Sequence, residues 1–216
     1  APLTWHPEPH ASSAERQAFA DWLGALPAHP ERRQQLLALL DDADPLVREH
    51  AAGALAQSAD TDTIRELTRR LTQPQAHEDV ALQALAGSLA RLHGGAELPA
   101  ELRDQLFTQL SGARLSGSDA QVASNTLLAL RSSVDARAPK IVAQLLREGS
   151  AQRRASAVLA LGDFQIPEAR RLLRFVLYND RPQQAMNAAL ALAEVGTEQD
   201  ADALLRAAEH GGWPLP

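Results

Sequence analysis

The sequence predicts an all-α solenoid of about five stacked antiparallel helix pairs with a capping helix at each end. Three observations carry this. The segments SNTLLAL (124–130), ASAVLAL (155–161) and MNAALAL (186–192) recur twice at an interval of 31 residues, and fixed periods of about 20–50 residues mark stacked supersecondary units. The stretch before each recurs too: Ile141, Leu145 and Leu146 match Leu172, Val176 and Leu177, then Ala203, Ala207 and Ala208, the i, i+4, i+5 stripe of one helix face. Apolar residues make up 45% of the chain and aromatics only 4%, so the core must be built mainly of Ala and Leu, which helices accept at least cost.

Taken in order, residues 1–12 are an extended segment. A first helix over 13–26 opens at Ser12 with Glu15 at capping-box spacing. Helices 30–41 and 45–58 form the first pair. Asp44 can accept a free backbone N–H there, and Pro45 at the first helical position needs no donor. Helix 61–72 opens at Asp60 or Thr61, and 77–92 carries Val80, Ala84, Leu85 and Leu89 before Gly94-Gly95 ends it. Helices 98–111 and 118–133 are joined by the flexible-looking turn Ser111–Ser118. Pairs 136–148 with 151–163 and 167–178 with 181–195 follow, closed near Gly149 and Gly196, and 198–210 caps the array before a tail over 211–216. A single repeat domain spanning 13–210 is expected, with Phe19 and Trp22 covering one end and Trp213 the other. No stretch alternates like a strand.

The segment DDADPLVREHAAGALAQ (41–57) resembles the HEAT-repeat consensus, in which an Asp-containing turn leads to a Val-Arg pair and an Ala-rich helix ending in Ala-Leu. The likeness extends in weaker form over 30–210. Only the first pair has the dipeptide Val47-Arg48; the corresponding helices begin Val80-Ala81, Val122-Ala123 and Arg154-Ala155. The resemblance implies that Asp44 and Arg48 brace adjacent units and that the second helix of each pair lines the concave surface.

Recognisable chemistry is sparse. There is no cysteine, which removes disulfides, thiolate nucleophiles and cysteine metal sites. In His77-Glu78-Asp79-Val80-Ala81, Ala81 stands where a zinc-protease motif needs its second His. His6 and His10 are separated by Pro7 and Pro9, and the Asp41, Asp42, Asp44 and Asp60, Asp62 sets lack the Gly and terminal Glu of a calcium loop. No catalytic residue, cofactor or metal is assigned. Arg114 and the amides of Ser111–Ser118 offer an anion cradle, but Asp119 puts negative charge where the anion would sit, which favours an ordinary turn. A net charge of −6 weighs against a nucleic-acid partner held through phosphates. No apolar run is long enough to span a membrane. A cytoplasmic location is expected, although Ala1-Pro2 also fits cleavage of a signal peptide or trimming.

A polar series, Asn125, Ser156 and Asn187, keeps the 31-residue interval, with Gln121, Gln152, Arg153, Gln183 and Gln184 nearby. On the concave surface implied by the resemblance, Gln121, Asn125, Gln152, Arg153, Ser156, Gln184 and Asn187 would form a partner-binding ridge, neutral to mildly acidic and suited to polar or basic segments. The competing reading of the same residues is hydrogen bonding between neighbouring helices. The expected function is a non-catalytic scaffold or adaptor for a protein or peptide. The alternatives are a module of a larger protein or a HEAT-like enzyme of the alkylpurine DNA glycosylase or bilin lyase type. The arginines Arg153, Arg154, Arg170, Arg171 and Arg174 are the one feature that fits a glycosylase.

Overall fold

Capping chemistry fixes where most helices begin. Ser12 accepts the Glu15 N–H at 3.3 Å while its own N–H donates to the Glu15 carboxylate at 2.7 Å, closing the capping box of α1 (Ser13–Ala25). The Ser12 hydrogen bonds hold the Glu15 carboxyl below its ordinary pKa. α2 (Pro30–Leu39) and α3 (Pro45–Ala56) each carry Pro in the first turn, and Asp44 caps α3 by accepting the Leu46 N–H at 2.8 Å. Asp60, rather than Thr61, caps α4 (Thr61–Arg70), accepting both N–H and Oγ1–H of Thr63. There follow α5 (Glu78–Arg91), α6 (Ala100–Leu110), a single helical turn α7 (Ala113–Ser116), α8 (Ala120–Ser133), α9 (Ala138–Glu148), α10 (Ala151–Gly162), α11 (Pro167–Asn179), α12 (Pro182–Val195) and α13 (Glu198–His210).

This computed structural model describes residues 11–58, 60–73, 77–92, 98–111, 113–116, 119–148, 151–162, 164, 167–180 and 182–210. The expectations for 1–10, Gly94-Gly95, Gly149, Trp213 and the tail over 211–216 lie outside these. Among the described residues every regular element is a helix, and none is long and apolar enough to cross a membrane. The twelve expected helices are all present. The thirteenth, α7, occupies part of the stretch expected to be a long turn. The chain forms two compact units, Ala1–Asp135 and Ala136–Pro216.

In the first unit α1, α3, α5 and α8 stack in succession as one layer, and these are its most extensive packings. α2, α4 and α6 lie against that layer and touch one another much less. Small residues set the spacing. A Cβ added to Gly87 of α5 would stand 2.4 Å from Ala56 Cβ of α3, and one added to Gly24 of α1 would stand 3.0 Å from Ala54 Cβ. α5 is sandwiched so closely that Val80, Ala81, Leu82, Ala84, Leu85, Ala86, Ser88 and Leu89 are all buried. Phe19 is buried too, stacked on half-buried Trp22 with centroids 5.8 Å apart.

Each interface of the layer also has a polar tie. Ser13 Oγ of α1 donates to the Asp44 carboxylate at the head of α3, and Ser88 Oγ of α5 donates to the Leu55 carbonyl at 2.9 Å. Asn125 Nδ2 of α8 donates to the Asp79 carbonyl at 2.8 Å. Arg32 of α2 is buried, and its guanidinium serves the carbonyls of Leu23 at 2.6 Å, Gly24 at 3.3 Å and Ala54 at 3.4 Å, placing a cation where two helix C-termini concentrate negative charge. Burial lowers the pKa of that guanidinium.

The turn before α3 is braced from both sides. Arg48 donates to the carbonyls of Asp42 at 2.8 Å and Ala43 at 3.1 Å, and Arg16 grips the Asp42 carboxylate at 2.7 and 2.9 Å. That bidentate pair drives the Asp42 pKa down and the Arg16 pKa up, and the Ser13 hydroxyl with the Leu46 N–H drives the Asp44 pKa down. α8 ends at Val134 in the left-handed conformation, φ 50°, a geometry that costs a β-branched residue about 1–2 kcal/mol.

In the second unit α10 packs on α12 about as extensively as each packs on its own pair partner, α9 for α10 and α11 for α12, with α13 alongside α11 and α12. Gly162 of α10 has the close-approach role, since an added Cβ would lie 2.8 Å from Ala191 Cβ of α12. The recurring Leu pairs divide between two faces because residues two apart on a helix point about 200° apart: Leu130, Leu161 and Leu192 are buried, whereas Leu128 is half-buried and Leu190 is 58% exposed.

Two glycines of the stacked layer test this account. Gly87→Ala gains helix propensity of about 1 kcal/mol but drives a methyl into α3, so urea titration should show a net loss of about 1–2 kcal/mol. Gly53, mid-helix in α3, has nothing within 4 Å of an added Cβ, so Gly53→Ala should gain about 0.5–1 kcal/mol.

Candidate functional site

Burying one face of each stacked helix leaves the opposite face open. On α3 the apolar set Val47, Ala51, Ala52 and Leu55 is buried, and Glu49, Gly53 and Gln57, at i, i+4 and i+8, are exposed. The same logic exposes Asp21 on α1, Gln83 on α5, and Gln121 and Ser124 on α8. α1, α3 and α5 enclose an open groove of ≈ 800 Å³ lined by Asp21, Gly24, Ala25, Glu49, His50, Gly53, Ala54, Gln57 and Gln83. Its lining includes the acids Asp21 and Glu49, and Gly24, Ala25, Gly53 and Ala54 contribute no polar side chain to it. His50 Nδ1 lies 2.7 Å from the Asp21 carboxylate. A carboxylate only accepts, so Nδ1 carries the proton of this hydrogen bond. At the C-terminal end of the groove Arg91 donates to Gln57 Oε1 at 3.3 Å.

The expected ridge divides on inspection. Gln121 is exposed, but Asn125 is only 7% exposed. Its Nδ2 is committed to the Asp79 carbonyl, and its Oδ1 accepts the Gln121 amide at 3.1 Å. In the second unit Gln183 is exposed and donates to Asn187 Oδ1 at 3.5 Å, the same i, i+4 amide pair 62 residues later; Asn187 and Ser156 are half-buried. Gln184 is buried at 5% exposure, and its Oε1 has no hydrogen-bond partner among the described residues. The side chains of Gln152 and Arg153 lie outside those described. The open face of α12 is apolar at Met186 and Leu190, 42% and 58% exposed. The turn residues Asp44 and Arg48 sit in the braced turn described above, away from the groove lining.

Arg170, Arg171 and Arg174 of the second unit face its own carboxylates. A smaller groove of ≈ 530 Å³ is lined by Arg170, Arg171 and Arg174 of α11 together with Thr197, Glu198 and Gln199. Beneath it Asp200 is fully buried. It accepts the Thr197 N–H at 2.7 Å and the Thr197 hydroxyl at 2.9 Å, pairs with Arg174, and lies 4.0 Å from Arg170. Burial pushes the Asp200 pKa up, but the Thr197 bonds and Arg174 outweigh it and the net shift is downward. Arg171 pairs with Glu168 at 2.5 Å. In the first unit Arg114 is likewise engaged, donating to Glu78 and to the carbonyls of Leu71 and Gln109, so its guanidinium ties α7 to α4 and α5 instead of cradling an anion. Among the described residues no three His, Asp or Glu side chains converge to hold a metal ion.

Sequence reasoning did not find Asp21, Glu49, His50, Gln57 or Gln83. The signal was present as the complement of the buried stripe on α3. Extending it to α1 and α5, however, required a register that the irregular early spacing conceals.

The family described as HEAT repeats matches residues 2–89 and 138–215. No curated protein matches the chain. Among solved structures, a designed armadillo repeat protein is similar at 20% identity over 88% of this chain and 96% of its own, TM-score 0.48. Human deoxyhypusine hydroxylase in complex with glycerol is similar at 23% identity over 94% of this chain and 75% of its own, TM-score 0.44. A designed armadillo repeat protein in complex with the peptide (KR)4 is similar at 18% identity over 83% of this chain and 91% of its own, TM-score 0.46.

The placement of Asn125 separates structural from surface amides. Asn125→Ala should lower unfolding free energy by about 1–2 kcal/mol, because it removes the part-buried hydrogen bond that ties α8 to the Asp79 carbonyl of α5. Gln121→Ala should fall within about 0.5 kcal/mol of wild type in the same urea titration.

Proposed function

With the chain established as a member of the HEAT-repeat family, to which matches over more than three quarters of its length assign it, we propose that it is a non-catalytic scaffold that binds a protein or peptide on the open faces of its second helices. The observation that carries the reading is the groove of the first unit. Glu49 and Gln83 line it, are exposed, and make no hydrogen bond or ion pair with other described residues. Neither group is engaged by the described part of the fold, so both are open to a partner. Stacked helix pairs also present extended surfaces on which a partner can meet several helices at once.

In this reading Gln121, on the same layer at α8, extends the surface of the first unit. Gln152, Arg153, Ser156 and Asn187 contribute to a separate surface on the second. Buried Asn125 acts by positioning α8, which carries exposed Gln121, against α5. Met186 and Leu190 add an apolar element to the second surface.

Affinity capture from the native source tests it with two double-arginine variants of confirmed helical content. Gln83→Arg with Gln121→Arg places bulk and charge on the open face, and Glu101→Arg with Gln105→Arg places them on exposed positions of α6. The proposal expects a partner retained by wild type and by the α6 variant but reduced about tenfold or more by the open-face variant. Equal capture by all three removes the open face from the function.

A further inference from the structure

Gly53 is the residue of the groove that the fold does not explain. A glycine inside a helix weakens it. Gly24, Gly87 and Gly162 repay that cost by letting a neighbouring alanine approach, whereas an added Cβ at Gly53 meets nothing within 4 Å. Gly53 lies in the groove lining, on the helix that also supplies Glu49 and His50. A missing side chain there keeps the floor low for a molecule arriving from outside.

The groups around that floor share one chemistry. Glu49 is exposed, and the Asp21 side chain is 60% exposed even while it accepts from His50. His50 Nδ1 donates to one Asp21 oxygen, which leaves the other carboxylate oxygen of Asp21 able to accept from outside. Gln57 and Gln83 supply amides of the kind that can pair with a peptide backbone. Acceptor groups in a cleft of one charge sign attract cationic donors and raise their local concentration, and charge-assisted bonds to carboxylates are stronger than neutral ones.

Resting on the scaffold reading above, we propose that the occupant of this groove is an extended, arginine- or lysine-bearing segment of a partner protein, lying across α1, α3 and α5 with its main chain seated over Gly53. Packed helices lie about 8–10 Å apart and an extended chain advances about 3.3–3.6 Å per residue, so roughly six residues cross the three helices. Alternate side chains of the segment point to the same face of the strand and can reach Asp21 and Glu49 in turn.

Fluorescence anisotropy on the full chain tests the proposal with three labelled octapeptides: alternating Lys and Arg, alternating Glu and Asp, and alternating Gly and Ser. The basic octapeptide should bind and the other two should not. Non-specific attraction to a chain of net charge −6 would survive a change at Gly53, so the decisive variants are Gly53→Ala and Gly53→Leu. They should raise Kd about threefold and more than tenfold while Tm stays at or above the wild-type value. Glu49→Gln should weaken binding about threefold to tenfold and flatten its salt dependence, and Glu101→Gln on α6 should change nothing. Absence of binding by the basic octapeptide, equal binding of the acidic one, or unchanged affinity in Gly53→Leu overturns the proposal. If one of these occurs while open-face substitution still abolishes native partner capture, the scaffold reading stands and only the basic occupant is wrong. If capture is also unaffected, both fall.

Discussion

The rest of the structure depends on how closely the second helices approach one another. α3 and α5 meet where Gly87 faces Ala56 with no room for a methyl, α1 and α3 meet at Gly24 and Ala54, and α10 and α12 meet at Gly162 and Ala191. At that distance the helices bury Ala and Leu almost completely, which is how a chain with only 4% aromatic residues still excludes water from its core. Packing this tight makes a buried side chain costly to enlarge or to truncate. It also brings helix termini near neighbouring side chains, and the structure uses this: Ser13, Ser88 and Asn125 each tie one interface to a carboxylate or carbonyl across it, and Arg32 gathers the ends of α1 and α3.

The same constraint produces the surface proposed for binding. A helix packed on two sides by neighbours in its own layer and on a third by a first helix has one face left, and that face carries residues chosen for something other than the core. In the first unit these are carboxylates, amides and an unneeded glycine around a groove; in the second they include Met186 and Leu190. The first helices expose charge in a different style. Arg65 pairs with Asp62, Arg69 with Glu66 and Arg171 with Glu168, all at i, i+3 spacing along one helix, the ordinary arrangement of a solvated helical face and worth little stability.

Much of this was legible in the residues. The recurring Ala-Leu segments and the Pro45 and Asp44 start of α3 led directly to the helix pairs, because capping and 3.6-residue periodicity are local properties. The site was less legible for two reasons. The starts of the stacked helices at Pro45, Glu78 and Ala120 are 33 and 42 residues apart, against 31 between Ala151 and Pro182, so the register of the second unit does not carry back into the first. Residue type was also ambiguous: an amide at a repeating position serves a partner or a neighbouring helix equally well, and only its geometry decides. Asn125 turned inward to Asp79 while Gln121, four residues earlier, stayed outside. α7 was missed because a four-residue turn has no periodicity to detect, and Arg114 holds it through contacts remote in sequence.

Hydrogen exchange measured residue by residue addresses the central claim, that the stacked second helices are the structural spine and the first helices are laid upon it. Amides of α3 and α5, enclosed on three sides, should be the slowest in the first unit and exchange only by the largest opening, with those of α2, α4 and α6 opening at lower free energy. Amides of α4 or α6 that exchange as slowly as those of α5, or more slowly, would contradict it and place the stability of the unit in the outer layer.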